Sequence, residues 1–293
     1  MIVALFGPTG VGKTAVAIAL ADRLRAAGED PVAVSADALQ VYRGLETLTG
    51  AATPAEQEQL EHRLVSILSV DAPCSAGRYA RLAHREIDDL LAAGRRPIVV
   101  GGTGLYLRAA LADLDLRPPV ATEIRRRWAR ELAQRGPQAL HEELRDRAPH
   151  AATMAGTDSQ RIVRALELLD AGHTPPGGEQ LWTEGTRHPT LLAGLTMDRT
   201  ALAARIDERV EQMVAAGARD EVERAAPRAS ATVRKALGFR ELLAGDVQAM
   251  KTRTRRYARR QLTWMRKLPD VTLIDVTARA PDDVARELHE ALT

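Results

Sequence analysis

Cysteine is almost absent from this chain of 293 residues: Cys74 is the only one. That excludes an internal disulfide and suits a reducing, cytoplasmic setting. Nothing beside Cys74 looks like an activating base, so it is not read as a nucleophile. Aromatic residues make up only 3% of the chain, so Ala, Leu and Val must do the packing. With 45% apolar residues there is ample material for a core, in one large domain or two modest ones. No apolar run approaches the roughly 18 residues of a membrane span. The first such run begins at residue 2, which predicts no signal peptide. The seven histidines show no metal-ligand spacing, so no zinc site is expected. There is no internal repeat, and net charge is a bland +2.

Against these absences stands one dense feature. Gly7-Pro8-Thr9-Gly10-Val11-Gly12-Lys13-Thr14 fits G-x-x-x-x-G-K-[ST] throughout. It follows the apolar run Ile2–Phe6 and opens a helix-like run, Ala15–Ala27. Strand, glycine loop and helix form the context of a phosphate-binding loop. The glycines let backbone N–H groups turn around an anion, and Lys13 adds a point charge. The Thr14 hydroxyl can hold Mg²⁺, and the helix N-terminus adds its positive dipole end. The alternative is a glycine turn before an ordinary helix.

Further apolar runs at Pro31–Ser35, Pro97–Gly101, Leu191–Met197 and Val271–Val276 read as strands, with a helical pattern at Gly77–Ala93. Strands alternating with helices predict a parallel sheet covered on both faces. The middle differs: Thr122–Arg135, Pro137–Ala148 and Asp158–Ala171 are all helical in pattern. Arg117-Pro118-Pro119 and Thr174-Pro175-Pro176-Gly177-Gly178 bound this block. Residues 112–189 therefore read as a helical insertion in a core formed by 1–111 and 190–293. A plain helical extension of the same domain is the alternative. Beyond it, Ala201–Ala216 carries an amphipathic face, and Gly217 is a natural stop. These faces are accounted for by a core, so no obligate protein partner is inferred.

Ligands of parallel α/β sheets bind at the carboxyl ends of the strands. Asp37, after Pro31–Ser35, falls at that edge. It could bind Mg²⁺, act as a general base, or simply cap a helix. At the end of Pro97–Gly101, where an ATP-hydrolysing enzyme usually carries an acid, stand Gly101-Gly102-Thr103-Gly104. Glycine permits close backbone approach, and Thr103 offers a hydroxyl. The arrangement suggests an anion that is held rather than hydrolysed. From Lys251 to Lys267 there are eight Lys/Arg and no acid. As a helix this segment places Arg253, Arg256, Arg260 and Lys267 on one face, beside an apolar stripe of Tyr257, Trp264 and Leu268. Eight unopposed cations point to a polyanion, with a solvated helix face as the alternative. On pattern alone Arg209 is a surface arginine, and Gln160-Arg161-Ile162-Val163-Arg164 is only the start of a helix.

Taken together, these segments resemble the tRNA dimethylallyltransferases, or tRNA isopentenyltransferases. The likeness runs through the glycine loop, Ser35–Gly44 (SADALQVYRG), Val100–Leu107 (VGGTGLYL) and Leu140–Leu144 (LHEEL). It continues through Asp158–Glu167 (DSQRIVRALE), Ala236–Leu243 (ALGFRELL) and Arg255–Trp264 (RRYARRQLTW). The resemblance implies an α/β fold with a P-loop NTPase-like parallel sheet core and an inserted all-helical domain. It implies transfer of a dimethylallyl group from dimethylallyl diphosphate, with Mg²⁺, to the exocyclic amine of the adenine 3′ of the anticodon in tRNA. By the same resemblance Asp37 is the general base, and Thr103 contacts donor and target nucleotide. Arg209 binds diphosphate together with Gly7, Pro8, Thr9, Gly10, Val11, Gly12, Lys13 and Thr14, and Thr14 places the metal. Asp37, Ala38, Leu39, Gln40, Thr103, Arg125, Gln160, Arg161, Ile162, Val163 and Arg164 match segments that contact the tRNA anticodon arm, while the basic helix, with Arg256 and Arg260, would meet RNA phosphates.

The chain departs from the family pattern in three places. Leu48–Pro54 lacks the lysine of G-T-A-K-P, Ser66 stands where an acid is usual, and Cys74 replaces a common aromatic. Three rival readings remain from the sequence: an ATP-dependent small-molecule kinase, a prenyltransferase of free adenine nucleotides, and an RNA-binding protein with a vestigial loop.

Overall fold

The computed structural model describes residues 1–177 and 185–292. The chain divides into two compact units, Met1–Asp113 with Glu184–Thr293, and Leu114–Thr183.

The first unit opens with β1 (Ile2–Phe6), α1 (Lys13–Ala26), β2 (Pro31–Ser35), α2 (Glu46–Thr49) and α3 (Pro54–Gln59). It continues with β3 (His62–Arg63), α4 (Ala76–Ala92), β4 (Arg96–Gly101) and α5 (Gly104–Leu111). The second unit carries α6 (Thr122–Arg147) and α7 (Ser159–Asp170). The chain then adds β5 (Thr190–Thr196), α8 (Arg199–Ala215), α9 (Ala218–Ala225), α10 (Phe239–Leu243), α11 (Val247–Met265), β6 (Thr272–Asp275) and α12 (Pro281–Glu290). The strands form one sheet in the order β3-β2-β4-β1-β5-β6, every pair parallel.

β1 is an uninterrupted apolar run because it lies at the middle of a sheet covered on both faces, with all five residues at most 1% exposed. Its register pairs Phe6 with Gly101 of β4 and with Gly194 of β5. α1 packs beside α12, and α4 beside α5. Leu20, Leu24, Val284 and Leu288 join the strand residues in one core. Each such side chain contributes about 1.5–3 kcal/mol. The topology is that of a P-loop NTPase-like core, with the glycine loop following the central strand. The strand β3 had no sequence signature: two residues, one His and one Arg, give no periodicity to read.

The second unit has its own core. Trp128 of α6 is 2% exposed and packs with Leu140, Leu144, Ile162 and Leu166. Its indole N–H donates to Asp170 at 2.7 Å. Asp170 also accepts from Arg147 at 2.6 Å and from Arg127, and both guanidinium groups lie over the Trp128 ring. The helices expected at Thr122–Arg135 and Pro137–Ala148 are two helical segments within α6, meeting at a kink where Gly136 is not helical (φ 75°, ψ 168°). Pro137 cannot donate to the preceding turn, and glycine accepts the positive φ that the bend requires. The expected helix start near Asp158 is that residue's cap: its carboxylate accepts from the Arg161 N–H at 3.2 Å. Of the bounding proline-glycine cluster, Gly178 lies outside the described residues.

Trp128→Ala removes both the indole volume and the partner of Asp170, and is expected to cost about 3–5 kcal/mol. Amide hydrogen exchange should show the loss in α6 and α7 while β1 and β4 keep their protection.

Candidate active site

The glycine loop of residues 7–12 joins the carboxyl end of β1 to α1. Gly10 and Gly12 have φ of 83° and 103°, a region that disfavours any side chain with a Cβ. Gly12 is also the N-cap of α1, and no side chain caps the helix. The N–H groups of the first turn, from Lys13 and Thr14, are not consumed by the helix itself. Val11 is 1% exposed and belongs to the core. Its N–H bonds the Pro8 carbonyl at 3.3 Å, so its contribution is to hold the loop's curvature. The Lys13 ammonium donates to the Gly7 and Pro8 carbonyls at 2.9 and 3.0 Å. Burial lowers its pKa to about 8, and the charge of Arg209 pushes in the same direction against a smaller opposing effect of Asp37.

Arg209 is not the surface residue its helical pattern suggested. α8 turns it inward, where its Nη2 donates to the Gly50 carbonyl at 3.3 Å. Its Nε is buried with no hydrogen-bond partner among the described residues, and burial lowers the guanidinium below its usual pKa. An orphaned, buried cationic N–H calls for an anionic acceptor. Gly50 has to be glycine here, since a Cβ would fall 1.7 Å from Arg209 Nη2 at a φ of 58°. The same carbonyl accepts from Gln40 Nε2 at 3.1 Å, and Gln40 Oε1 accepts from Ser35 Oγ at 2.8 Å. Behind them, buried Glu221 of α9 accepts from the N–H groups of Thr47 and Leu48 and so fixes the short α2 that delivers Gly50. Arg205, one turn before Arg209, brings its guanidinium within 4 Å of where a Cβ on Gly12 would sit. The sequence reading passed over Arg205. Its i,i+4 spacing from Arg209 on one helix face was the available signal.

Asp37 caps no helix. It follows β2, and its Oδ1 accepts from the Leu39 N–H at 2.9 Å in a local turn. That leaves the carboxylate half-buried, with its charge acting on Lys13, Tyr79, Tyr106 and Tyr257. Tyr79 and Tyr106 stack with ring centres 4.6 Å apart, and the Tyr79 hydroxyl donates to the Ser35 carbonyl. Thr103 caps the start of α5 without a side-chain bond to it. Its hydroxyl lies 3.0 Å from that of Tyr257 on α11.

The glycines at the end of β4 and just beyond it permit close approach, and the atoms that approach are the protein's own. A Cβ at Gly101 would lie 2.4 Å from the Ala36 carbonyl, one at Gly102 2.4 Å from Gln261 Nε2, and one at Gly104 2.1 Å from the Trp264 ring. Gln261 is the residue the sequence reading missed. Its amide accepts from the Thr9 N–H at 3.0 Å and donates to the Gly102 carbonyl at 2.6 Å. A glutamine in a run of arginines gives no sign that it bridges two distant loops.

The model of the IPP transferase family matches residues 40–268. The chain belongs to this family. It is 39% identical to the tRNA dimethylallyltransferase of Thermobifida fusca, across 97% of this chain and 92% of that relative. With the Frankia alni tRNA dimethylallyltransferase the identity is 42%, covering 92% of this chain and 95% of the other. Among solved structures, the full-length tRNA isopentenylpyrophosphate transferase of Bacillus halodurans superposes with a TM-score of 0.71 at 32% identity, covering 99% and 95% of the two chains. A eukaryotic dimethylallyltransferase acting on tRNA gives 0.75 at 25% identity, over 94% of this chain and 74% of that one.

The other candidate residues are distributed unevenly. In the second unit, Arg125 and Gln160 are exposed. Arg161 pairs with Asp158 at 3.1 Å, and Arg164 donates to the Arg117 and Pro118 carbonyls. Ile162 is fully buried in that unit's core, and the partly buried Val163 packs against that core. The basic helix also needs correction, because its eight cations are not all unopposed. Lys251 pairs with Glu211, Arg253 with Glu241 at 2.7 Å, and Arg255 with Asp207 at 2.5 Å. Acids from other elements meet them, which no local count of charge could reveal. Arg256, Arg259, Arg260, Arg266 and Lys267 are exposed, and Arg260 lies over the Tyr257 ring.

Two outcomes follow from this geometry. Gln261→Leu keeps the side-chain volume but strips the Thr9 N–H and the Gly102 carbonyl of their partner, and should lower stability by about 1–3 kcal/mol in thermal or urea unfolding. Lys13 is cationic below about pH 8 and neutral above it. Calorimetric affinity for pyrophosphate, expressed as the ratio of parent to Lys13→Ala so that the ligand's own titration cancels, should therefore fall as pH rises through 8.

Proposed function

We propose that this protein is a tRNA dimethylallyltransferase: it transfers a dimethylallyl group from dimethylallyl diphosphate to the exocyclic amine of the adenine 3′ of the anticodon. The observation that carries this reading is the convergence of three groups with separate tasks at the carboxyl edge of the sheet. Lys13 and Arg209, whose Nε has no partner among the described residues, supply cationic donors beside the glycine loop. The half-buried Asp37 carboxylate acts electrostatically on the same ammonium, and Thr103 adds a hydroxyl. Such a set suits a reaction in which an anion departs and a proton is taken up.

In this reading the adenine amine attacks the allylic carbon of the donor. The new C–N bond forms as the C–O bond breaks, and the diphosphate leaves with that electron pair. Asp37 accepts the proton lost by the amine. Lys13, Arg209 and the amides of the loop, Gly7 to Thr14, stabilise charge growing on the departing diphosphate, with Arg205 beside them. Among the described residues no group of three or more His, Cys, Asp or Glu converges into a cation cage. The Thr14 hydroxyl, an oxygen donor in the first turn of α1, would hold a Mg²⁺, which would supply charge neutralisation for the diphosphate.

The acceptor is the tRNA anticodon arm. The target base must leave its stack to reach a buried donor. Ala38, Leu39 and Gln40 beside Asp37 line the approach, and Arg256 and Arg260 meet phosphates. The helical unit contributes Arg125, Gln160, Arg161 and Arg164, while Ile162 and Val163 hold the helix that presents them. No helix among the described residues is long and apolar enough to cross a membrane, and a cytoplasmic setting belongs to the same reading.

The test is mass spectrometry of unmodified tRNA incubated with the protein, dimethylallyl diphosphate and Mg²⁺, with AMP and ATP as parallel acceptors. One prenyl group gained on the anticodon-loop adenine is the expected result. Product on AMP or ATP alone would overturn the tRNA assignment. Asp37→Ala should lower turnover by roughly 10²–10⁴-fold with tRNA affinity held, and equal turnover in variant and parent would remove the general-base role.

A further inference from the structure

α11 contributes more than cations to the site. Its Tyr257 is half-buried, with the hydroxyl 3.0 Å from Thr103 Oγ1. Four residues on, Gln261 ties the same helix to the glycine loop and to the residue just before Thr103. Trp264 fills the space that Gly104 leaves open. The helix is thus pinned on both sides of Thr103, and Tyr257 is held in register with it. Arg260 stands over the Tyr257 ring, 5.5 Å from its centre.

We propose that Tyr257 is a positioning residue for the transfer reaction: its phenol O–H donates to Thr103 Oγ1 and thereby commits the Thr103 proton to the reacting centre. Two hydroxyls in contact share one proton between them, and either could donate. A phenol is far more acidic than an aliphatic alcohol, which makes it the better donor. The Arg260 cation over the ring withdraws electron density and sharpens that preference. Burial, reinforced by the Asp37 charge, pushes the Tyr257 pKa up to about 12, so the phenol keeps its proton at working pH. Once Thr103 Oγ1 accepts from Tyr257, its own O–H is free to point away from α11. The neighbouring Gly102 lies against Lys13 and the Gly7 carbonyl, with the Lys13 Nζ 3.4 Å from where a Cβ would sit. The Thr103 proton is then left for the bound substrate instead of being shared with Tyr257. This inference rests on the reading of Thr103 as a contact to donor and target nucleotide.

The experiment is a double-mutant cycle on the full chain with tRNA, dimethylallyl diphosphate and Mg²⁺, using Tyr257→Phe, Thr103→Val and the pair. Tyr257→Phe keeps the ring under Arg260 and removes only the hydroxyl. It should lower kcat about 10-fold with both KM values and the melting temperature unchanged. In the Thr103→Val background it should have no further effect, and in the Thr103→Ser background, which restores a hydroxyl, the loss should return. An equal fold loss in every background, an unchanged kcat, or a loss confined to melting temperature would overturn the positioning role while leaving the transferase reading intact. Absence of prenyl transfer by the parent would overturn the transferase reading, and this inference with it.

Discussion

One side-chain amide holds the site together. Gln261 receives the Thr9 N–H from the loop after β1 and donates to the Gly102 carbonyl after β4. β1 and β4 are adjacent in the sheet, with Phe6 opposite Gly101, so their loops leave the edge side by side with polar backbone groups facing inward. A buried carbonyl or N–H without a partner costs about 1–3 kcal/mol. Gln261 satisfies one of each with a single planar group. That geometry then fixes where α11 sits, and with it Tyr257, Trp264 and the exposed arginines. The absence of a Cβ at Gly101, Gly102 and Gly104 is the complementary requirement, because each approach is closer than any side chain would permit.

The site is electrostatically strained, in a way that suits an anion. Lys13, Arg205 and Arg209 crowd the same loop, and Asp37 offsets only part of their repulsion. Burial weakens the hold of Lys13 on its proton, and Arg209 keeps a buried donor with no acceptor among the described residues. Such an arrangement stabilises little in the protein alone, and its value lies in meeting charge that develops on a bound diphosphate. The scaffold around it is correspondingly well satisfied. Glu221 caps α2, Gln40 and Arg209 share the Gly50 carbonyl, and Ser66 donates to Glu46. The Ser66 hydroxyl thus has the Glu46 carboxylate as its acceptor.

The helical unit is organised on a different principle. Among the described residues its largest buried side chain is Trp128, and Asp170 ties that indole to two arginines. Arg127 and Arg147 are thus partnered within the unit and act as structural ties. Ile162 shows the same economy: within a segment read from resemblance as RNA-facing, every third or fourth residue must still point to the core. A motif that matches residue by residue thus mixes contact residues with the packing that presents them.

Whatever is encoded over a few consecutive residues could be read directly from the chain. The glycine loop needs positive φ at Gly10 and Gly12, and only glycine supplies it cheaply. The continuous apolar runs of β1, β2 and β4 announce strands buried on both faces, and Gly136-Pro137 announces the bend in α6. The partners of the site could not be read this way, because they are far apart in sequence. Thr9 and Gln261 are separated by 252 positions, and Arg209 and Gly50 by 159. Helical periodicity states that Arg209 lies on a face, but not what that face meets. Likewise the run from Lys251 to Lys267 declares eight positive charges, while the acids that neutralise three of them come from α8 and α10. Local pattern fixes the conformation of each element, whereas the pairing of elements depends on packing them all at once. Only the tertiary structure decides which charges are already satisfied and which remain to meet a ligand.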